Sequence, residues 1–149
     1  MIKILCVGKI KESFYREAIN EYVKRLSKYT KLEIIECRDY SDSENSIDKE
    51  KTELEKHLQD RDYIITLEIE GNEVSSTELA TKINNIFNTN SNITFVIGGS
   101  NGLHDDIKKR SNYKLSFSKM TFPHQLFRVI LLEQIYRSFK INNNEKYHK

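Results

Sequence analysis

The only proline of the chain, Pro123, separates a polar turn from the most apolar helical run, in the stretch FSKMTFPHQLFRVILLEQIYR from Phe117 to Arg137. Proline fixes φ and has no backbone N–H, so it suits the first position of a helix and not its interior. The spacing therefore predicts a helix starting here. Between Leu126 and Phe139, nine of fourteen residues are apolar, too many for one narrow stripe. Such a helix is covered on more than one side. In a chain of 149 residues the simplest covers are its own sheet and a second subunit.

The rest of the chain supplies the sheet. Ile2–Val7 is mostly apolar on both faces and ends at Gly8, the pattern of a central parallel strand. Phe14, Ala18, Ile19, Tyr22, Val23 and Leu26 recur at helical spacing and predict a helix between Ser13 and Tyr29. Leu32–Cys37 reads as a second strand. Ser43–Leu58 is highly charged, with Ile47, Leu54 and Leu58 as its few anchors; a helix is expected there, part of it mobile. A third strand, Asp62–Ile69, is closed by Glu70, Gly71 and Asn72. Ser75 and Glu78 form a capping box for a helix with Leu79, Ile83, Ile86 and Phe87 on its inner side. Ile93–Ile97 is a fourth strand, Asp105–Arg110 a short helix and Lys114–Phe117 a fifth strand. Strand and helix patterns alternate without repeat or linker. This predicts a single α/β domain over residues 1–149, with a mostly parallel sheet and helices on both faces.

Charge is unevenly placed. From Gly98 onward there are 10 Lys+Arg against 4 Asp+Glu, leaving 14 against 18 before it. A basic C-terminal half suits a polyanionic partner, nucleic acid being the commonest, and equally a solvated basic face. Cys6 and Cys37 lack any CxxC or paired spacing and read as two buried reduced thiols. The apolar run near the start is too short for a signal-peptide core, and no stretch approaches bilayer length. A cytoplasmic protein is expected.

In open α/β sheets, ligands bind beyond the carboxyl ends of the strands. Leu67–Gly71, Gly98–Gly102 and Phe117–Phe122 are three such ends. The glycines of GGSNG permit close approach of a ligand to the main chain, but a tight turn explains them as well. Their spacing is neither the dinucleotide fingerprint nor a P-loop. His57, His104, His124 and His148 are scattered without a second ligand at metal-binding spacing, so no metal is expected. His124, just inside the helix start, either orients a ligand or lies on the surface. The terminal Tyr147, His148 and Lys149 could stack on a base, exchange a proton and pair with phosphate, although chain ends are commonly disordered.

These pieces together resemble the RlmH family, the ribosomal large-subunit methyltransferase H proteins of the SPOUT superfamily. The resemblance runs from ILCVGK at residues 4–9 through ITLEIEG at 65–71 and FVIGGSNGL at 95–103 to LSFSKMTFPHQLFRVILLEQIYR and the terminal YHK. It implies a homodimer with a trefoil knot near the C-terminus. It also implies S-adenosylmethionine-dependent methylation of N3 of a pseudouridine in helix 69 of 23S rRNA, on the assembled ribosome. By position, the family's cofactor contacts fall on Leu67, on Gly98 with Gly99, and on Phe117, Ser118, Lys119, Met120, Thr121 and Phe122. Two departures are the short, divergent segment around Ser43–Leu58 and Lys149 in place of an arginine found in some members; lysine keeps the charge but loses bidentate phosphate geometry.

Methylation of an imide nitrogen needs alignment of donor and acceptor and a base for the N3 proton. On this resemblance His148 is the first candidate base, Tyr147 stacks on the target, and Lys149 or Arg128 holds phosphate. Glu133 and Arg137 are alternative participants or an ion pair at the subunit interface. Two other readings stay open at this point: a ribosome-binding module without catalysis, and a related enzyme acting on tRNA or a ribose hydroxyl.

Overall fold

A computed structural model describes all residues from Met1 to Lys149. Five strands, β1 (Ile2–Val7), β2 (Leu32–Cys37), β3 (Tyr63–Glu73), β4 (Ile93–Ile97) and β5 (Tyr113–Ser116), alternate with five helices. These are α1 (Ser13–Leu26), α2 (Ser46–Glu55), α3 (Ser76–Thr89), α4 (Asp105–Arg110) and α5 (His124–Asn142). The sheet order is β2-β1-β4-β3-β5 and every pairing is parallel. All six residues of β1 and all five of β4 are buried. Strands flanked on both sides and both faces have no solvent side to encode, which is why they read as unbroken apolar runs.

Side chains alternate across the sheet, and the two faces carry separate cores. Ile2, Ile4, Cys6, Phe95 and Ile97 point toward α1, α3 and α5. Leu5, Val7 and Val96 point toward α2 and α4 through Leu54 and Ile107. The capping box of α3 is complete: the Ser75 amide donates to Glu78 Oε1 and the Glu78 amide to Ser75 Oγ, each at 3.1 Å. Two donors otherwise left unpaired at the helix start are thereby satisfied, a device of about 1 kcal/mol. Cys6 and Cys37 are buried and free, and burial pushes the Cys6 thiol up to about 12.

Several expectations shift at element ends, β5 among them, which runs Tyr113–Ser116 instead of Lys114–Phe117. α1 stops at Leu26 instead of Tyr29, since the chain turns through Ser27 and sends Tyr29 back to stack on Phe139 of α5 at 5.7 Å. Pro123 is the N-cap of α5 and not its first helical residue, with φ −56 and ψ 138. The larger correction concerns β3. Gly71 does not end it; the strand bulges between Leu67 and Asn72, then pairs with β5 again through Asn72 and Glu73. A Cβ on Gly71 would lie 2.9 Å from the backbone of Lys114, so glycine is what lets the bulged strand return.

α5 runs between α1 and α3 over the first core. Leu131, Leu132, Ile135 and Tyr136 are buried in the single chain, while Leu126, Val129 and Ile130 are only half-buried. Leu131 therefore belongs to the core of the single chain. None of the helices is long and apolar enough to cross a membrane.

Candidate active site

The β3 bulge creates the site. By swinging Glu68, Ile69 and Glu70 away from β5, it opens a cavity of about 800 Å³ beyond the carboxyl ends of β3, β4 and β5. That volume suits a drug-sized or nucleoside-sized ligand. Of the nine residues assigned to the cofactor, Leu67, Gly98, Gly99, Phe117, Ser118, Met120, Thr121 and Phe122 line it. Lys119 does not; its side chain is exposed outside. Leu103 and Lys108 stand in the wall with no local motif to mark them, and His124 joins it from the first turn of α5.

Each wall has a local cause. Gly102 takes φ +81 and its amide donates to the Gly99 carbonyl at 3.0 Å, folding GGSNG back on itself. In that fold a Cβ on Gly98 would lie 2.9 Å from the Gly102 carbonyl carbon, so the strand end must stay bare. The tight-turn and ligand-approach readings of these glycines are thus one arrangement. On the opposite wall, Ser116 Oγ lies 2.9 Å from the Ile69 carbonyl and 3.2 Å from that of Ser118, tying the bulge to the loop after β5. Ser118 Oγ accepts from the Met120 amide at 3.0 Å, which bends that loop over the cavity.

The glycine loop is also held from behind by α2. Asn101 donates to Ser46 at 3.0 Å, His104 Nε2 lies 3.0 Å from Asp48 and Lys51 Nζ 2.7 Å from Asp106. Glu50 is 3% exposed and accepts from the Tyr40 amide, while its other oxygen has no partner. Burial raises its pKa, opposed by the Tyr40 hydrogen bond. The charged segment expected to be partly mobile is therefore helical over Ser46–Glu55 and backs the cavity.

The cavity is chemically mixed. Its apolar surface comes from Leu67, Leu115, Phe117, Phe122 and Phe127, and Glu68, Glu70, Lys108 and His124 carry charge or titrate. Burial lowers the His124 pKa; Asp39 opposes this and Arg128 reinforces it. Its imidazole is accordingly neutral at neutral pH.

The other predicted site residues lie elsewhere. Arg128, expected to hold phosphate, is 2% exposed, with Nη1 on Glu36 Oε2 at 2.6 Å and Nη2 on the Gly8 carbonyl at 3.1 Å. It is a structural tie and not an available phosphate contact. The tail is folded against α5. Arg137 donates to Glu133 at 2.6 Å, Tyr147 OH donates to the same carboxylate oxygen at 3.1 Å, and Arg137 lies over the Tyr147 ring at 4.7 Å. Burial and Glu133 push the Tyr147 phenol up to about 12. Arg137 Nη1 stands 3.1 Å from His148 Nδ1. A guanidinium can only donate, so Nδ1 accepts and a neutral imidazole carries its proton on Nε2. Lys149 is exposed.

Tail and cavity are not brought together within one protomer. His124 lines the cavity and Arg137 binds the tail, and at the helical rise these positions are about 20 Å apart along α5.

Comparison with known proteins fits this geometry. The family model described as "Predicted SPOUT methyltransferase" matches residues 1–148. The structure of "a probable methylase family protein from Haemophilus influenzae Rd KW20" superposes with a TM-score of 0.58 at 14% identity, covering 99% of this chain and 70% of that one. By fold and family match the chain is a SPOUT methyltransferase. A Methanococcus maripaludis protein provisionally named ribosomal RNA large subunit methyltransferase H is 57% identical over 99% of both chains. Ribosomal RNA large subunit methyltransferase H of Clostridium botulinum (strain Alaska E43 / Type E3) is 51% identical, again over 99% of each. The chain belongs to the ribosomal RNA large subunit methyltransferase H family.

Proposed function

We propose that this enzyme transfers the methyl group of S-adenosylmethionine to N3 of a pseudouridine in helix 69 of 23S rRNA, acting as a homodimer on the assembled ribosome in the cytoplasm. The observation that carries the proposal is the cavity itself, in which the bare Gly98 cradle, the bulged end of β3 and the loop after β5 converge. The relatives' names supply the rRNA.

S-adenosylmethionine, when bound, provides a methyl carbon on a sulfonium leaving group. The cavity residues have the task of holding it in line with the acceptor, because displacement at carbon depends on alignment. Leu67, Leu115 and Phe117 give a flat base apolar walls, and Glu68 and Glu70 offer carboxylates to its cationic groups. On the acceptor side, N3 forms a bond to the methyl carbon as its proton leaves. His148 is the proposed acceptor of that proton and must first release Nδ1 from Arg137. Tyr147 and Lys149 face the target nucleotide.

A site split along α5 is completed by a second copy whose helix runs the opposite way, placing one tail at the other cavity. The half-buried Leu126, Val129 and Ile130 are the apolar positions left for that contact. Ile130→Asp is therefore expected to convert the dimer to a monomer and to lower turnover at least about tenfold, the burial of an unpaired carboxylate being costly. Analytical ultracentrifugation with a methylation assay checks this; a fully active monomer refutes the shared site. For the reaction itself, mass mapping of 23S rRNA nucleosides from cells with and without the protein should show loss of one N3-methylated pseudouridine. An unchanged map rules the assignment out.

A further inference from the structure

The connection between β1 and α1 is fixed more firmly than a surface loop requires. Arg128 Nη2 donates to the Gly8 carbonyl at 3.1 Å, the Ile10 amide donates to Glu36 Oε2 at 2.9 Å, and the Lys11 amide donates to Gln125 Oε1 at 2.9 Å. Arg16 closes the turn on the Ile10 carbonyl at 3.1 Å. Two of these anchors, Gln125 and Arg128, flank His124 and Phe127, which line the cavity. Whatever the loop presents is thus presented beside the cavity mouth in a set position.

It presents two lysines and an aromatic pair. Lys9 and Lys11 are exposed, and the chain's ion pairs include neither. Phe14 is 60% exposed, and its ring sits 4.4 Å from that of Tyr15. A large exposed aromatic costs solubility and contributes nothing to the core. Of its sequence neighbours, Lys11, Glu12 and Glu17 are of the types depleted from the cores of protein interfaces. Single-stranded RNA is the partner that matches: unstacked bases seat on aromatic rings and phosphates on lysines.

We propose that Lys9, Lys11 and the Phe14–Tyr15 pair form a docking platform for single-stranded RNA beside the target nucleotide, with a splayed base on Phe14 and phosphates on the two lysines. The proposal rests on rRNA being the substrate. Glu12 and Glu17 neighbour Phe14 in sequence and Asp39 interacts with Lys11, so the platform is not a broad positive field; it works through two point charges and a stacking surface. It also gives Arg128 its role. The arginine expected to touch phosphate instead holds the loop whose lysines do.

The test uses full-length enzyme, purified unmethylated ribosomes as the probe, and labelled-protein anisotropy, which needs no turnover. Phe14→Ala is expected to weaken ribosome binding about tenfold. Lys9→Ala with Lys11→Ala should weaken it as well and flatten the log–log salt dependence by about 1.4, the contribution of two single-strand phosphates. Cofactor affinity by calorimetry and dimerisation by sedimentation should not change in either variant. Unchanged ribosome affinity in both variants overturns the platform. So does a Phe14→Ala protein that sediments as a monomer, since the ring would then belong to a contact between copies. Failure of the methylation assignment would appear separately, as wild-type enzyme that binds ribosomes and forms no product.

Discussion

Removal of Tyr147–Lys149 is expected to reduce methyl transfer at least about a hundredfold, the range over which a positioned base acts, while S-adenosylmethionine affinity changes less than about twofold. The tail is bound to Glu133 and Arg137, and none of its residues lines the cavity. Its loss therefore leaves in place the walls proposed to hold the cofactor. What it removes is the imidazole, an aromatic face and the lysine on the acceptor side. Calorimetry and single-turnover methylation of ribosomes read the two effects independently. A truncated enzyme with wild-type turnover would leave the tail without a part in the reaction. His148→Asn refines the result: it removes the proton acceptor at similar size, so a loss comparable to truncation assigns the effect to the imidazole.

Gly98→Ala is expected to produce the reverse pattern, with cofactor affinity lowered about 10- to 100-fold and the acceptor side intact. The added methyl would meet the Gly102 carbonyl carbon at 2.9 Å, its oxygen at 3.0 Å and Leu103 Cδ2 at 3.1 Å. The leucine could turn away, but the two backbone atoms cannot. Overpacking of this kind costs about 1–3 kcal/mol, and here the glycine loop relieves it by moving into the cavity. Calorimetric titration measures the change. Undiminished binding would mean that the loop does not shape the cofactor site.

Much of this architecture could be read from local pattern. β1 and β4 coincide with their apolar runs because strands inside a parallel sheet are buried on both faces; β2 was legible too, although it lies at the sheet edge with only Cys37 buried. Ser75 with Glu78 marked the start of α3 because both halves of that cap lie within four residues. The features missed were those decided far away in the chain. Gly71 resembles a strand terminator, and only the backbone of Lys114 shows it to be a point of re-entry. Arg128 resembles a free cation until Glu36, 92 positions earlier, is seen against it. Periodicity placed α5 under two covers but not which apolar residues faced each; only the structure shows Leu131, Leu132 and Ile135 buried within the single chain while Ile130 is half-buried. The cavity's location at three strand ends was legible; its Leu103 and Lys108 walls were not, since neither belongs to a recognisable strand end.

The all-parallel sheet has a consequence for how the enzyme is made. No neighbouring strands are joined by a hairpin, and Ile2 waits for Ile93 before β1 gains its second partner. The tie from Arg128 to Gly8 spans 120 positions. With so many of its contacts distant in sequence, such a chain folds slowly compared with one of local pairings. During synthesis at roughly 5–20 residues per second, neither the cavity nor the fixed loop beside it can form until the last helix has left the exit tunnel. A nascent chain therefore has no site to offer, and premature termination anywhere before α5 yields a protein unable to compete for the substrate.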